Sequence, residues 1–151
     1  MRFVIQRVER AKVTVEGKVS GEIGNGYVVL VGLLPTDDDK VMDYMLDKLV
    51  NLRIYEDEND KLNLSLKDIG GEILIVPNFT LYGDARKGRR PSYAKAAPPD
   101  EAEKLFDRFV EKVKETGLNV QTGIFRTHMK VELVNDGPFT LMLDSETLFA
   151  K

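Results

Sequence analysis

The sequence predicts a single α+β domain with a curled, barrel-like β-sheet and about two main helices. Alternating and β-rich runs mark many strands, two stretches carry apolar residues at helical spacing, and the elements follow neither a regular βαβ rhythm nor an internal repeat. No linker interrupts the 151 residues. One domain is therefore expected over residues 1–145, with residues 146–151 as a loosely held C-terminal tail. A chain of this length buries roughly 70% of the surface its unfolded form exposes, so it needs neither a disulfide nor a metal to fold.

Residues 2–8 and 11–16 read as two strands, the second alternating Ala11, Val13 and Val15 against Lys12, Thr14 and Glu16 before a turn at Glu16-Gly17. Gly21 and Gly24-Asn25-Gly26 punctuate the next piece. Tyr27 to Leu34 is apolar on both faces, as a central strand covered on two sides requires. Thr36 offers an N-cap ahead of Asp37, Asp38 and Asp39, and Met42, Met45, Leu46 and Leu49 continue a helix over about 37–50. Asp57-Glu58-Asn59-Asp60 lacks the spaced ligands and glycine of a calcium loop and reads as a hairpin turn. Glu72 to Phe79 is a β-rich strand. Pro98-Pro99-Asp100 opens a second helix whose stripe is Leu105, Phe106, Phe109, Val110 and Val113, stopped by Gly117. Strands over about 128–134 and 139–143 follow, separated by Asn135-Asp136-Gly137-Pro138.

Composition narrows the chemistry. The chain has one His, no Cys and no Trp. Without Cys, thiol nucleophiles, zinc knuckles and disulfide frameworks are excluded. With His128 alone, His₃ and His₂-carboxylate metal sites are excluded too, so no metal and no cofactor is expected. A Ser-His-Asp catalyst would have to bring His128 into its pocket. The 22 basic and 25 acidic residues leave a net charge of −3, which does not advertise nucleic-acid binding by the molecule as a whole. Distribution matters more. From Asp84 to Ala97, Arg86, Lys87, Arg89, Arg90 and Lys95 stand against Asp84 alone. No apolar run approaches the ~20 residues of a membrane span, and Gln6-Arg7 interrupts any signal-like start, so a cytoplasmic protein is expected.

Four places could hold chemistry. Pro77-Asn78-Phe79-Thr80-Leu81 ends a buried strand, where a hydroxyl, an amide and freed backbone N–H groups could line a pocket and stabilise an oxyanion, or simply form a turn. Asn135-Asp136-Gly137-Pro138-Phe139-Thr140 is either a hairpin turn or a Gly-Pro element aiming its carbonyls at an amine. The basic loop could bind phosphates through Arg86, Lys87, Arg89 and Arg90 with Tyr93 stacking on a base, or be a solvated loop. His128 falls by strand alternation on the face opposite Met129, Val131 and Leu133, which places it on the surface, at a pocket edge or in the core.

Taken together, Gln6-Arg7-Val8 with Val13-Thr14-Val15, Phe79-Thr80-Leu81, Arg90-Pro91-Ser92, Gln121-Thr122-Gly123 and Asn135-Asp136-Gly137-Pro138 with Thr140 carry a family resemblance. No one tripeptide is diagnostic; their order and spacing along most of the chain are. The sequence resembles the bacterial D-aminoacyl-tRNA deacylases, also called D-tyrosyl-tRNA deacylases. The resemblance implies a homodimer of barrel-like α+β subunits, with active sites at or near the subunit interface. It implies hydrolysis of the ester between a D-amino acid, or mischarged glycine, and the 3′-terminal adenosine of tRNA. It also implies that Phe79 and Thr80 line the adenosine and ester pocket, with Asn78, Met129 and Asn135 as further substrate contacts. Gly137-Pro138 would be a cis Gly-Pro element reaching into the partner's site.

Two departures stand out. The family's usual Ser-Gln before Phe-Thr-Leu is Pro77-Asn78 here, so a serine hydroxyl is lost and the amide sits on a shorter side chain. Arg126-Thr127-His128 replaces the usual small residues between Phe125 and Met129. Chirality follows from exclusion: with the α-amino group held by backbone carbonyls, a D side chain points outward and an L side chain runs into the Gly137-Pro138 backbone. Two mechanisms remain open. Thr80 could be a nucleophile, which needs an activating base. Alternatively, Thr80 and backbone N–H groups hold the carbonyl while the ribose 2′-hydroxyl assists water, and this is the favoured expectation.

Overall fold

A computed structural model describes residues 1–149 of the chain. The elements run β1 (Arg2–Val15), β2 (Lys18–Ile23), β3 (Gly26–Gly32), α1 (Asp39–Asn51), β4 (Tyr55–Glu56), β5 (Leu62–Leu64), β6 (Glu72–Pro77), a 3-10 turn (Phe79–Tyr82), α2 (Pro99–Lys114), β7 (Asn119–Thr122), β8 (Lys130–Asp144) and α3 (Ser145–Leu148). The main sheet is ordered β2-β1-β3-β6-β7, with β8 paired to β1. Ser20 Oγ donates to the Thr122 carbonyl at 3.3 Å, and a Cβ at Gly21 would lie 2.9 Å from that same oxygen, so β2 closes against β7 and the sheet is nearly a barrel.

Curling gives the sheet two cores. Inside it lie Val8, Val13, Val28, Leu74 and Val76. On the other face Phe3, Ile5, Val29 and Ile75 meet Met42, Met45 and Leu49 of α1 and Phe106, Phe109 and Val113 of α2. The predicted helical stripes are thus both buried. β3 is the central strand that its two-sided apolar run predicts.

Several boundaries differ from those expected, each for a local reason. The strands expected over 2–8 and 11–16 are one strand. Glu9 and Arg10 are exposed, but the ladder to β8 continues through them, since Arg10 pairs with Val134. Likewise 128–134 and 139–143 join as β8, which begins at Lys130; His128 lies in the turn before it and not on a strand face. The helix expected from 37 starts at Asp39, and its N-cap is Asp38, which accepts from the Val41 N–H at 3.0 Å, rather than Thr36. Asp37 is buried instead, accepting from the Leu34 N–H and the Met1 ammonium, both at 2.7 Å. β6 stops at Pro77 and Phe79 begins the 3-10 turn. Two parallel pairings lie within this otherwise antiparallel sheet: β3 with β6 across α1, and β6 with β7 across α2. The expected loose tail is ordered at its start. Glu146 to Leu148 belong to α3, which Asp144 caps, whereas residues 150 and 151 lie outside the described residues.

Among the described residues, no helix is long and apolar enough to cross a membrane.

Candidate functional site

The carboxyl ends of the parallel strands β3 and β6 open onto a cavity of about 960 Å³, the position where α/β sheets commonly take ligands. Pro77, Asn78, Phe79 and Thr80 form one wall. Tyr93 and Ala94 come from the basic loop, Pro98, Pro99 and Ala102 from the start of α2, and Phe125 to Met129 from the turn after β7; Gln6, Val131 and Leu133 complete it. Of the sequence candidates, Asn78, Phe79, Thr80 and Met129 are therefore brought together.

Pro77 ends the pairing of β6, and the Asn78 N–H still donates to the Val31 carbonyl at 2.8 Å. The chain then tightens into the 3-10 turn, which Asn78 caps: its Oδ1 accepts from the Thr80 N–H at 3.2 Å and from the Thr80 hydroxyl at 2.5 Å. The shorter amide at this position thus orients the hydroxyl. Phe79 is 57% exposed, and its ring meets the Tyr93 ring edge-on at 5.1 Å, giving the mouth an aromatic platform. No carboxylate lies among the described residues lining the cavity, and His128, exposed on the rim, is its one imidazole. On the same rim Arg126, at φ 62, is ion-paired with Asp100 and Glu103 of α2, and the Thr127 hydroxyl donates to the Ile124 carbonyl at 2.8 Å.

Gly137 and Pro138 are placed elsewhere. Gln6 pairs with Thr140 and Val8 with Asn135, so Asp136–Phe139 loop out of the ladder opposite Arg7 alone. The Gly137–Pro138 peptide bond is cis, both residues are exposed, and neither lines the cavity that holds Thr80 in the same chain. Asn135 spans the loop, accepting from the Phe139 N–H at 2.7 Å and donating to the Phe139 carbonyl at 3.1 Å. It too lies outside the cavity lining. Beneath the loop, Arg7 is buried and donates to the Asp136 carbonyl at 2.9 Å and the Ile54 carbonyl at 2.6 Å, with its guanidinium over the rings of Phe139 and Tyr55. Burial pushes the Tyr55 phenol well above the usual range.

The basic loop projects from a two-bond clasp between Asp84 and Ser92. Arg86 is committed to Asp84 at 2.7 Å, and this bond holds the Asp84 carboxyl at about 2. Lys95 is paired with Glu146 at 2.7 Å. Lys87, Arg89 and Arg90 are exposed and make no ion pair among the described residues. Among those residues no group of three or more His, Asp or Glu is arranged to hold a metal ion.

Sequence reading missed Arg7, Gln6 and the Phe79–Tyr93 pair. Arg7 left a signal, because it falls in phase with the buried Phe3 and Ile5 of β1, and a charged side chain on an inward phase needs a partner. The aromatic pair left none, since only the fold brings residues 79 and 93 together.

The chain matches the family described as D-Tyr-tRNA(Tyr) deacylase over residues 4–144. It is 58% identical over 149 residues to the D-aminoacyl-tRNA deacylase of Thermosipho africanus, covering 99% of this chain and 100% of that protein. Identity to the protein of the same name from Clostridioides difficile is 56%, with coverages of 99% and 100%. Among solved structures, the c-Myc DNA Unwinding Element Binding Protein superposes with a TM-score of 0.89 at 39% identity, over 95% of this chain and 98% of that one. A structure described as a probable eukaryotic D-amino acid tRNA deacylase superposes at 0.79 over 94% and 97%, and at 22% identity it speaks to the fold alone.

Proposed function

The chain belongs to the D-Tyr-tRNA(Tyr) deacylase family, and from that premise we propose that it hydrolyses the ester joining a D-amino acid, or glycine, to the 3′-terminal adenosine of tRNA. The observation that carries the proposal is the Asn78–Thr80 turn: a hydroxyl fixed by its neighbour's amide, at the mouth of a cavity with an aromatic platform.

Thr80 acts by position. Asn78 Oδ1 accepts the Thr80 hydroxyl proton but is an amide oxygen, too weak a base to remove it, and no carboxylate lines the cavity among the described residues. The nucleophile reading therefore lacks its base. On substrate binding the Thr80 hydroxyl turns from Asn78 Oδ1 to the ester carbonyl and, with backbone N–H groups, holds its developing negative charge, while the ribose 2′-hydroxyl assists attack by water. Phe79 and Tyr93 take the adenine face, Met129 packs beside it, and Lys87, Arg89 and Arg90 hold the phosphates of the acceptor end. Arg86, engaged with Asp84, shapes the loop that presents them.

Stereochemistry needs a second copy of the chain. Gly137 and Pro138 are exposed away from their own cavity, on a strand that among the described residues pairs with β1 alone and exposes Met142. In a homodimer they enter the partner's cavity, their carbonyls holding the substrate amine and their backbone excluding an L side chain. Asn135 and Arg7 hold that element from its own subunit. The reaction belongs to translational proofreading in the cytoplasm, with neither metal nor cofactor.

Incubation with matched D- and L-aminoacyl-tRNAs tests the proposal. Turnover of the D ester and of glycyl-tRNA with the L ester spared is expected; no turnover of the D ester would overturn it. A substrate ending in 2′-deoxyadenosine is expected to be nearly inert, and full activity on it would restore the nucleophile reading.

A further inference from the structure

The turn that carries Thr80 is only four residues long, and a 3-10 segment so short has little stability of its own. Its front half is organised by Asn78. Its back half is held by side chains distant in sequence, chiefly Arg2. Arg2 Nη1 donates to the Leu81 carbonyl at 2.7 Å, its Nε donates to Asp144 Oδ2 at 2.7 Å, and its guanidinium carbon lies 4.6 Å from the centre of the Tyr82 ring. One planar fork thus binds the residue directly after Thr80, stacks on the next and is anchored on β8. Asp144 is itself fixed, since its other oxygen caps α3 by accepting from the Glu146 N–H at 2.9 Å. Tyr82 is itself buried, and Lys95, paired with Glu146, approaches its other surroundings at 5.8 Å from the ring centre. From below, the end of β3 leaves no slack: a Cβ at Gly32 would sit 3.1 Å from both the Leu81 Cβ and the Tyr82 ring.

We infer that Arg2 is a positioning residue for the proposed ester hydrolysis, fixing through Leu81 and Tyr82 the place of the Thr80 hydroxyl and N–H, with Asp144 holding the guanidinium in register. The inference rests on the deacylase reading for its kinetic consequence, but the positioning itself is a property of the chain. Arg2 does not line the cavity and touches no substrate. Lysine cannot replace it, because a single ammonium cannot donate in two divergent directions and lie flat on a ring at once.

The test compares the full-length wild type with Arg2→Lys and Asp144→Asn, the second retaining shape if the first folds poorly. Two readouts are taken: kcat and KM on D-aminoacyl-tRNA, and the NMR positions of the Thr80 amide and methyl signals. For both variants kcat should be lower by roughly tenfold or more with KM within about twofold, as misplacement of a bound ester requires. Thr80 and Leu81 signals should move while those of α1 and α2 stay. A kcat within about twofold of wild type with Thr80 signals unmoved overturns the inference. So does a loss of activity accompanied by shifts throughout both helices, which marks a general structural role. If the wild type itself fails to hydrolyse the D ester, the deacylase reading falls, and the Thr80 signals alone decide whether Arg2 positions the turn.

Discussion

The Asn78–Tyr82 turn follows the buried strand β6 and the Asn135–Phe139 loop interrupts the half-exposed strand β8, and the two are built for opposite surroundings. The turn stands at the mouth of a cavity lined by its own chain, and its hydroxyl is held by a side chain two residues away. The loop faces outward. Its backbone is fixed from beneath by Arg7 and across its neck by Asn135, while Gly137 and Pro138 are exposed and lie outside their own chain's cavity. Firm support behind an exposed backbone element is unusual for a plain hairpin turn, which needs no buried arginine. The contrast is the one the proposed homodimer requires, a receptacle in one subunit and a probe from the other.

Substitutions should separate the halves. Thr80→Ala removes the turn's positioned hydroxyl, and kcat should fall by about 10²–10³ with Tm unchanged, as for loss of one oxyanion donor; single-turnover kinetics at saturating enzyme measure it. Arg7→Met strikes the other half. Two carbonyls lose a charged donor, which should cost about 3 kcal/mol in urea unfolding and loosen the Asp136 amide to hydrogen exchange while leaving the Thr80 turn protected. Equal loosening of both segments would erase the distinction drawn between them. A smaller effect is expected from Arg89→Ala with Arg90→Ala. These residues belong to neither half, so kcat should hold while the salt slope of tRNA binding drops by roughly 0.7 per arginine.

Smallest is the acid response of the basic loop. The hydrogen bond from Arg86 lowers the Asp84 carboxyl from its ordinary 3.8 to about 2. A lowered carboxyl contributes fully above its ordinary value and is lost as pH falls through the folded one, so the Arg86–Asp84 bond should be whole above about pH 3.8 and open near pH 2. Amide signals of Arg86 followed by NMR against pH check this.

What was legible in the sequence was local. Thr80 and Phe79 share a turn that Pro77 punctuates, and the basic loop is contiguous, so both could be read from neighbours along the chain. Both helical stripes were legible for the same reason. The supports were not, because Arg2 reaches Leu81 across 79 positions and Arg7 reaches Asp136 across 129. The parallel pairs were hidden differently: the β4–β5 hairpin and the basic loop lengthen the two crossovers until their rhythm no longer shows. The merging of β1 across Glu9-Arg10 could not be seen either, since it depends on a partner strand over a hundred residues away.

Subunit complementation tests most directly whether the two half-sites meet across a homodimer. Thr80→Ala leaves the probe intact, and Gly137→Ala leaves the receptacle intact while its Cβ, 2.5 Å from the Phe139 nitrogen, forces the loop to move. Each variant alone should be nearly inactive on D-aminoacyl-tRNA. After unfolding and refolding together, half of the dimers are mixed and each holds one complete site, so activity should recover to about a quarter of wild type. Mixed dimers that form, verified by differential tags, yet stay as inactive as their parents would contradict the account.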